Sequence, residues 1–129
     1  MGAFEGMHIA ASGLTAQRFR MDLIASNLAN VNTTRTEAGE PFRRQLAIFA
    51  SRRGPVPGVQ VVGIHKDPAP FQKHYDPSNP DADAGGYVQY PNINPVLEMT
   101  DLISASRSYE ASITAINAFK AMHGRALEI

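Results

Sequence analysis

Apolar residues near the N-terminus repeat at helical spacing. Two interleaved rows recur every seven residues between Gly6 and Val31, as in the seam of a coiled coil. The rows are Met7, Leu14, Met21 and Leu28, and Ala10, Gln17, Ile24 and Val31. A further row, Ile9, Ala16 and Leu23, lies on another face. The pattern predicts a helix roughly 40 Å long, buried by a partner helix and by a second surface. The alternative is a central helix of a monomeric bundle.

A second long helix is predicted at the C-terminus. Asn94 is a suitable N-cap, and Pro95 suits the first helical position. The apolar stripe, with spacings of three and four, is Met99, Leu102, Ser106, Tyr109, Ile113 and Ile116. We expect the two helices to pair as an antiparallel, coiled-coil-like hairpin. The expected contacts join Leu14, Met21, Ile24 and Leu28 to Leu102, Tyr109, Ile113 and Ile116.

Three asparagines mark the predicted end of the first helix. Asn27, Asn30 and Asn32 precede the pair Thr33–Thr34, which favours extended backbone. Asparagine tolerates the left-handed conformation that helix ends often adopt, and its side chain caps freed backbone groups. We therefore expect these asparagines to form the exit turn of the helix.

The segment between the helices is predicted to contain short strands and proline-rich loops, since all nine prolines lie between Pro41 and Pro95. Aromatic and β-branched residues favour strands at 42–49, 59–64 and 86–90. A turn is expected at 54–58 and a long irregular excursion at 67–80. The predicted fold class is mainly α with a small β-rich insert.

This pattern divides the chain into three segments. They are an N-terminal helix of a helical core at 1–34, a central β-rich module at 35–95, and the C-terminal helix of that core at 96–129. The 129 residues suffice for about one domain with a modest core.

Charge is distributed unevenly although the net charge is zero. Residues 35–66 carry a net charge of +4, and residues 67–129 carry a net charge of −4. Such a split guides head-to-tail contacts between copies or with neighbours. The alternative is two ordinary solvated faces.

Several classes of chemistry and location find no support in the sequence. The chain has no cysteine, which excludes disulfides, thiolate metal sites and a cysteine nucleophile. The first residues lack the pattern of a cleavable signal peptide. No apolar run approaches the roughly 20 residues that span a bilayer. Taken alone, these signals predict a cytoplasmic protein.

No catalytic or metal-binding motif is recognisable either. The four histidines are scattered, without a ligand spacing such as HExxH. Residues 81–86 are faintly similar to a calcium loop, but Gly85 and Asn92 occupy positions where ligands belong. The basic pairs 43–44 and 52–53 flank aromatic residues, as in some proteins that bind single-stranded nucleic acid. Solvated arginines are the simpler interpretation, and we predict no enzyme activity, cofactor, metal or nucleic-acid partner.

Two N-terminal segments resemble a known family. Residues 12–17 (SGLTAQ) and 26–34 (SNLANVNTT) are similar to the N-terminal signature of bacterial flagellar axial proteins, the rod, hook and hook-associated subunits. Residues 33–36 (TTRT) resemble its proximal-rod members. The segments VVGI (61–64), YDP (75–77) and EMTDLISASRSYEA (98–111) extend the resemblance over nearly the whole chain. Asn79 and Ser112 depart from the family pattern.

The resemblance implies a structural subunit of the flagellar basal-body rod. Such subunits assemble helically with copies of themselves and with other rod subunits, transmit torque and enclose the export channel. The resemblance also implies export through the flagellar type III apparatus without a cleaved signal, and a rod that spans the periplasm. We therefore expect the protein in the rod and not in the cytoplasm. We expect no insertion of the protein into a membrane.

We expect the assembly interface to draw on both helices and on the exit turn. The expected residues are Met7, Leu14, Met21, Ile24, Asn27, Leu28, Asn30, Asn32, Met99, Leu102, Tyr109, Ile113 and Ile116. The alternative function is a soluble helical-hairpin adaptor that binds a partner helix in the cytoplasm.

Overall fold

Two long helices lie side by side and run in opposite directions. The computed structural model describes residues 2–128; Met1 and Ile129, the outermost residues of the predicted terminal segments, lie outside this range. Helix α1 spans Ala3–Ala29 and helix α2 spans Pro95–Glu128. The Phe4 ring meets the His123 ring near the end of α2, with centroids 4.4 Å apart. Two long predicted helices are thus confirmed.

Asparagine side chains cap the start of α2 and the end of α1. The Asn94 Oδ1 accepts the Val96 N–H at 3.0 Å, which confirms the predicted N-cap of α2. At the end of α1, the Asn30 Nδ2 donates to the Ser26 carbonyl at 2.8 Å. Asn30 has φ −104°, so the left-handed conformation expected there is wrong. Side-chain hydrogen bonds satisfy this helix end without that conformation.

Four strands form two separate antiparallel hairpins. Strand β1 spans Gln45–Arg52 and pairs with β2, which spans Gly58–Lys66. Strand β3 spans Gln72–Tyr75 and pairs with β4, which spans Tyr87–Tyr90. The small strand module and the turn at 54–58 are confirmed, although β1 begins three residues later than predicted.

Strand β3 lies inside the stretch predicted to be irregular, and that prediction is wrong. All four of its residues are exposed, so no alternation of apolar and polar side chains reveals the strand. Pairing with β4 stabilises it. The His74 and Tyr90 rings meet edge to face at a centroid distance of 4.8 Å across the hairpin.

Helix α1 is packed on two sides, between α2 and the β1–β2 hairpin. On the hairpin side, the Ser12 Oγ accepts the Val59 N–H at 3.0 Å. Gly58 has φ +152° and a Cβ at this position would overlap the Ser12 side chain, so glycine is required. The burial of α1 on several sides is confirmed, with the strand module as the second surface.

The predicted residues Ala16, Leu23 and Ile24 of α1 are buried, but the closest contacts between the two helices lie one residue before the predicted rows. A Cβ built at Gly6 would overlap the Phe119 ring, and one at Gly13 would lie 3.3 Å from the Ser112 Oγ. Ala105, seven residues before Ser112, is fully buried. Leu102, Tyr109 and Ile116 are half-buried, as expected for a row that flanks this contact.

Two residues of the predicted α2 stripe are therefore misplaced. Met99 is 56% exposed and Ile113 is 39% exposed, so neither forms the core of the helix pair. Glu98, and not Met99, is buried at this turn of α2, with 1% of its surface exposed. A pattern search that maximises apolar character selects Met99 over Glu98, because it cannot anticipate a buried carboxylate with partners.

Candidate assembly interface

A buried polar junction joins the helix pair to the strand module. The side chain of Asn27 is fully buried in α1. Its Oδ1 accepts the Gln45 N–H at 3.0 Å, and its Nδ2 donates to the Gln45 carbonyl at 2.9 Å. The Nδ2 also donates to the Glu98 Oε2 of α2 at 3.2 Å. One amide side chain thus pairs with β1 as a neighbouring strand would, and connects it to α2.

Arg44 completes this junction by contacting three carboxylates. Its Nε donates to the buried Glu98, its Nη1 lies 3.3 Å from the Asp67 Oδ2, and its Nη2 lies 3.2 Å from the Asp101 Oδ2. Burial alone would lower the pKa of Arg44, but the hydrogen bonds and charges of Glu98 and then Asp67 raise it overall. The guanidinium therefore stays charged and compensates the buried Glu98.

Asp67 and Asn92 extend the junction into the loop before β3. The Asp67 Oδ1 accepts the Ala69 N–H at 2.9 Å, and this hydrogen bond lowers the pKa of Asp67. Burial opposes the shift, and Arg44 reinforces it. The Asn92 Oδ1 accepts the Arg44 N–H at 2.9 Å, while its Nδ2 donates to the Asp67 carbonyl at 3.0 Å. Arg44 and Asn92 thereby hold Asp67 next to the start of β1.

The Arg43–Arg44 pair is part of the fold, so the interpretation of these two residues as simply solvated arginines is wrong. The Arg43 Nη1 donates to the carbonyls of Asp67 and Ala69 at 2.8 and 2.9 Å. Its guanidinium lies 4.2 Å from the centroid of the Phe71 ring. With Arg44 held by carboxylates, both arginines of this pair have partners within the chain.

The residues expected at the assembly interface occupy different environments. Ile24 and Asn27 are buried, and Asn27 lies inside α1, so the expectation that it forms the exit turn is wrong. Asn30 lies in the exit turn, and Asn32 is exposed. The half-buried members are Met7, Leu14, Met21, Leu28, Leu102, Tyr109 and Ile116. Met99 and Ile113 are exposed. Within one chain, these residues form a helix pair flanked by partly uncovered apolar surface.

Large apolar side chains are exposed at both ends of the helix pair. At the start of α2, Val96, Leu97, Met99 and Ile103 are between 56% and 71% exposed. At the other end, Phe4, Met122 and Leu127 are between 58% and 76% exposed. Most of these residues were not expected at the interface. The sequence feature that could have indicated them is the presence of apolar residues outside the predicted stripes, on helices that are apolar around much of their circumference.

An open groove runs between the helices near the exposed far end. Its volume is about 510 Å³, and it is lined by Gly6, Ile9, Ala10, Gly13, Ala111, Ser112, Ala115 and Phe119. Small side chains on both helices leave this space unfilled. Contiguous exposed apolar surface of this kind is typical of protein interaction sites.

Two carboxylates outside the junction accept hydrogen bonds from the chain itself. The Asp83 Oδ1 accepts the N–H groups of Gly85 and Tyr87 at 2.8 and 3.0 Å, and the Asp81 Oδ2 accepts the Thr34 hydroxyl at 2.8 Å. Across residues 2–128, no group of three or more acidic, histidine or cysteine side chains is arranged to hold a metal ion. Neither described helix is long and apolar enough to cross a membrane.

Comparison with known proteins identifies relatives along the whole chain. Residues 7–35 match the family described as "Flagella basal body rod protein", and residues 84–129 match "Flagellar basal body rod FlgEFG protein C-terminal". The chain is 48% identical to the "Flagellar basal-body rod protein FlgC" of Borreliella burgdorferi, over 100% of this chain and 98% of the relative. It is 45% identical to the protein of the same name in Bacillus subtilis, over 100% and 99% of the two chains. Identity to that of Aquifex aeolicus is 42%, over 99% and 97%.

Proposed function

The chain belongs to the FlgC family of flagellar basal-body rod proteins, and we propose that it forms the proximal part of the rod by helical assembly. It is a structural component of the flagellum and not an enzyme. The observation that carries the proposal is the identity of 48% over the full length of the chain. Large uncovered apolar surface on the helix pair supports it.

In this proposal the helix pair is a coiled-coil-like unit that forms the wall of a tube. The contacts between the helices recur at multiples of seven residues, forward along α1 and backward along α2. Gly6 meets Phe119, Gly13 meets Ser112, and Asn27 meets Glu98. This periodicity supports a heptad seam whose rows are small or polar. Residues 1–34 and 96–129 then form the wall of the tube, and residues 35–95 form a module on its outer side.

Subunits would join through the faces that the helix pair leaves uncovered. The proposed interface keeps Met99 and Ile113, which are exposed, and the half-buried flanking residues Met7, Leu14, Met21 and Leu28. It adds the apolar start of α2. Asn27 supports it indirectly, since it fixes the strand module to the helix pair. Torque would pass between module and tube through that junction.

The remaining parts of the proposal concern the route and location of the protein. We infer export through the flagellar type III apparatus without a cleaved signal, and a final position in a rod that spans the periplasm and encloses the export channel. The family resemblance supports both points. A cytoplasmic helical-hairpin adaptor is not favoured, because the full-length relatives are rod proteins.

Charging the exposed start of α2 tests the proposed interface. In Met99→Asp/Ile103→Asp, a charged face would be buried against a neighbour, at a desolvation cost that prevents assembly. We expect this variant to keep its helical circular dichroism, to be absent from purified basal bodies and to abolish swimming. The matched control is Ser104→Asp, also exposed on α2, which should swim normally. Normal motility of the double variant would contradict the proposed interface.

A further inference from the structure

The strand module carries a basic turn at one end. Residues 45–66 contain Arg52, Arg53 and Lys66 but no acidic residue. We define the basic turn as residues 52–57, which connect β1 to β2. The Arg52 Nε donates to the Val56 carbonyl at 3.0 Å. Arg53 is exposed and forms no ion pair with any residue between 2 and 128.

The opposite end of the module is acidic and aromatic. The segment 74–90 contains Asp76, Asp81 and Asp83 and no lysine or arginine. The exposed Tyr75 and Tyr87 flank these carboxylates, with ring centroids 5.3 Å apart and interplanar angle 64°. We call this surface of five residues the acidic end. Within the described chain, Asp76 and Asp83 form no ion pair with a basic side chain.

A cleft at the acidic end has room for an incoming cationic side chain. Its volume is about 480 Å³, and its walls include Asp81, Asp83 and Tyr87. Arg35 also lines the cleft, and its Nη1 lies 3.8 Å from the Asp81 Oδ1 with the side chain 73% exposed. Asp83 has no such partner among the described residues, so one carboxylate of the cleft is left for a second cation. Carboxylates beside an aromatic ring suit a guanidinium, which hydrogen-bonds the former and stacks on the latter.

The two charged ends cannot meet within one chain. The basic turn is held near the middle of α1, where the Val59 N–H donates to the Ser12 Oγ. The acidic end contacts Thr34 through Asp81, beyond the last residue of α1, Ala29. Ser12 and Ala29 are separated by roughly 25 Å along a helix axis. Any pairing of these ends therefore requires a second molecule.

We propose that the basic turn of one copy docks on the acidic end of a second copy. This inference rests on the proposed function, and it identifies a contact between strand modules in addition to the helix contacts. The charges of Arg53 in one copy and of Asp76 and Asp83 in the other are opposite, and none of these three has an ion-pair partner within the described chain. They select this partner and its orientation. Because the two surfaces differ, the contact is head to tail. It generates rings or helical filaments and not a closed two-fold dimer.

Cross-linking tests this contact directly, since the chain has no cysteine of its own. The variant Val56→Cys/Tyr75→Cys places one exposed cysteine in the basic turn and one at the acidic end, and it keeps Arg53 and Asp76. It is expressed in flagellated cells and treated with a short bismaleimide. We expect a ladder of dimers, trimers and larger products containing this chain. The matched control pairs Val56→Cys with Glu110→Cys, exposed on α2, and should give no ladder. Each single-cysteine variant should remain monomeric on the gel.

Three outcomes would overturn the contact: dimers from Val56→Cys alone, cross-links to a different protein, or no ladder in cells whose basal bodies contain the double variant. A second test adds the reversals Arg53→Glu and Asp76→Lys, separately and together, to the variant with cysteines at Val56 and Tyr75. Each reversal alone should remove the ladder and both together should restore it; failure of restoration also counts against the contact. Absence of the chain from basal bodies, with the ladder intact, would refute the rod function and leave the contact standing.

Discussion

At the scale of single residues, the junction shows how a buried carboxylate is made stable. Glu98 is almost fully buried, a position where an unpaired charge costs several kcal/mol. Arg44 supplies the opposite charge, and the Asn27 amide satisfies the second carboxylate oxygen. The sequence contains all three residues, but their distances along the chain gave no signal that they meet. Such contacts depend on tertiary packing and not on local pattern.

Removing the cation of the junction should be costly. We expect Arg44→Leu to reduce the free energy of unfolding by about 3–5 kcal/mol, because it leaves Glu98 buried without its counter-charge. Urea denaturation of the purified protein measures this change. The control Arg53→Leu removes an exposed arginine and should change stability by about 0.5 kcal/mol or less. Equal effects of the two substitutions would show that the junction does not stabilise the fold.

At the scale of elements, the two helices and their caps were predictable and their contact faces were not. Periodicity located both helices, and Asn94 located the start of α2. The buried rows contain Gly6, Gly13 and Ser112, whose small or polar side chains give no hydrophobic signal. The predicted rows lie one residue to the C-terminal side, where the larger apolar side chains are. Close packing of the helices selects small residues over hydrophobic ones here.

Gly6 provides a test of this packing. A methyl group at Gly6 would overlap the Phe119 ring, so Gly6→Ala should destabilise the protein by about 1–3 kcal/mol through overpacking. The matched control is Gly124→Ala, a helical glycine with open space around its Cβ position. It should be neutral or stabilising by up to about 1 kcal/mol, because alanine is the better helix former. Thermal unfolding followed by circular dichroism distinguishes the two. A stabilising Gly6→Ala would contradict the helix contact.

At the scale of the whole molecule, the chain combines a thin core with extensive uncovered apolar surface. Among residues 2–128 only a few apolar side chains are buried, whereas both ends of the helix pair expose large apolar side chains. This balance is typical of a subunit that completes its burial in an assembly. The family resemblance, visible in the N-terminal and C-terminal signatures, predicted this role better than periodicity did.

The most direct measurement is quantitative mass spectrometry of hook–basal bodies purified in detergent from flagellated cells of the source bacterium. A rod subunit should be present there in a fixed ratio to the other rod proteins, and that ratio should persist through successive purification steps. Recovery of the chain from the soluble cytoplasm, with none in the basal bodies, would contradict the assignment to the rod.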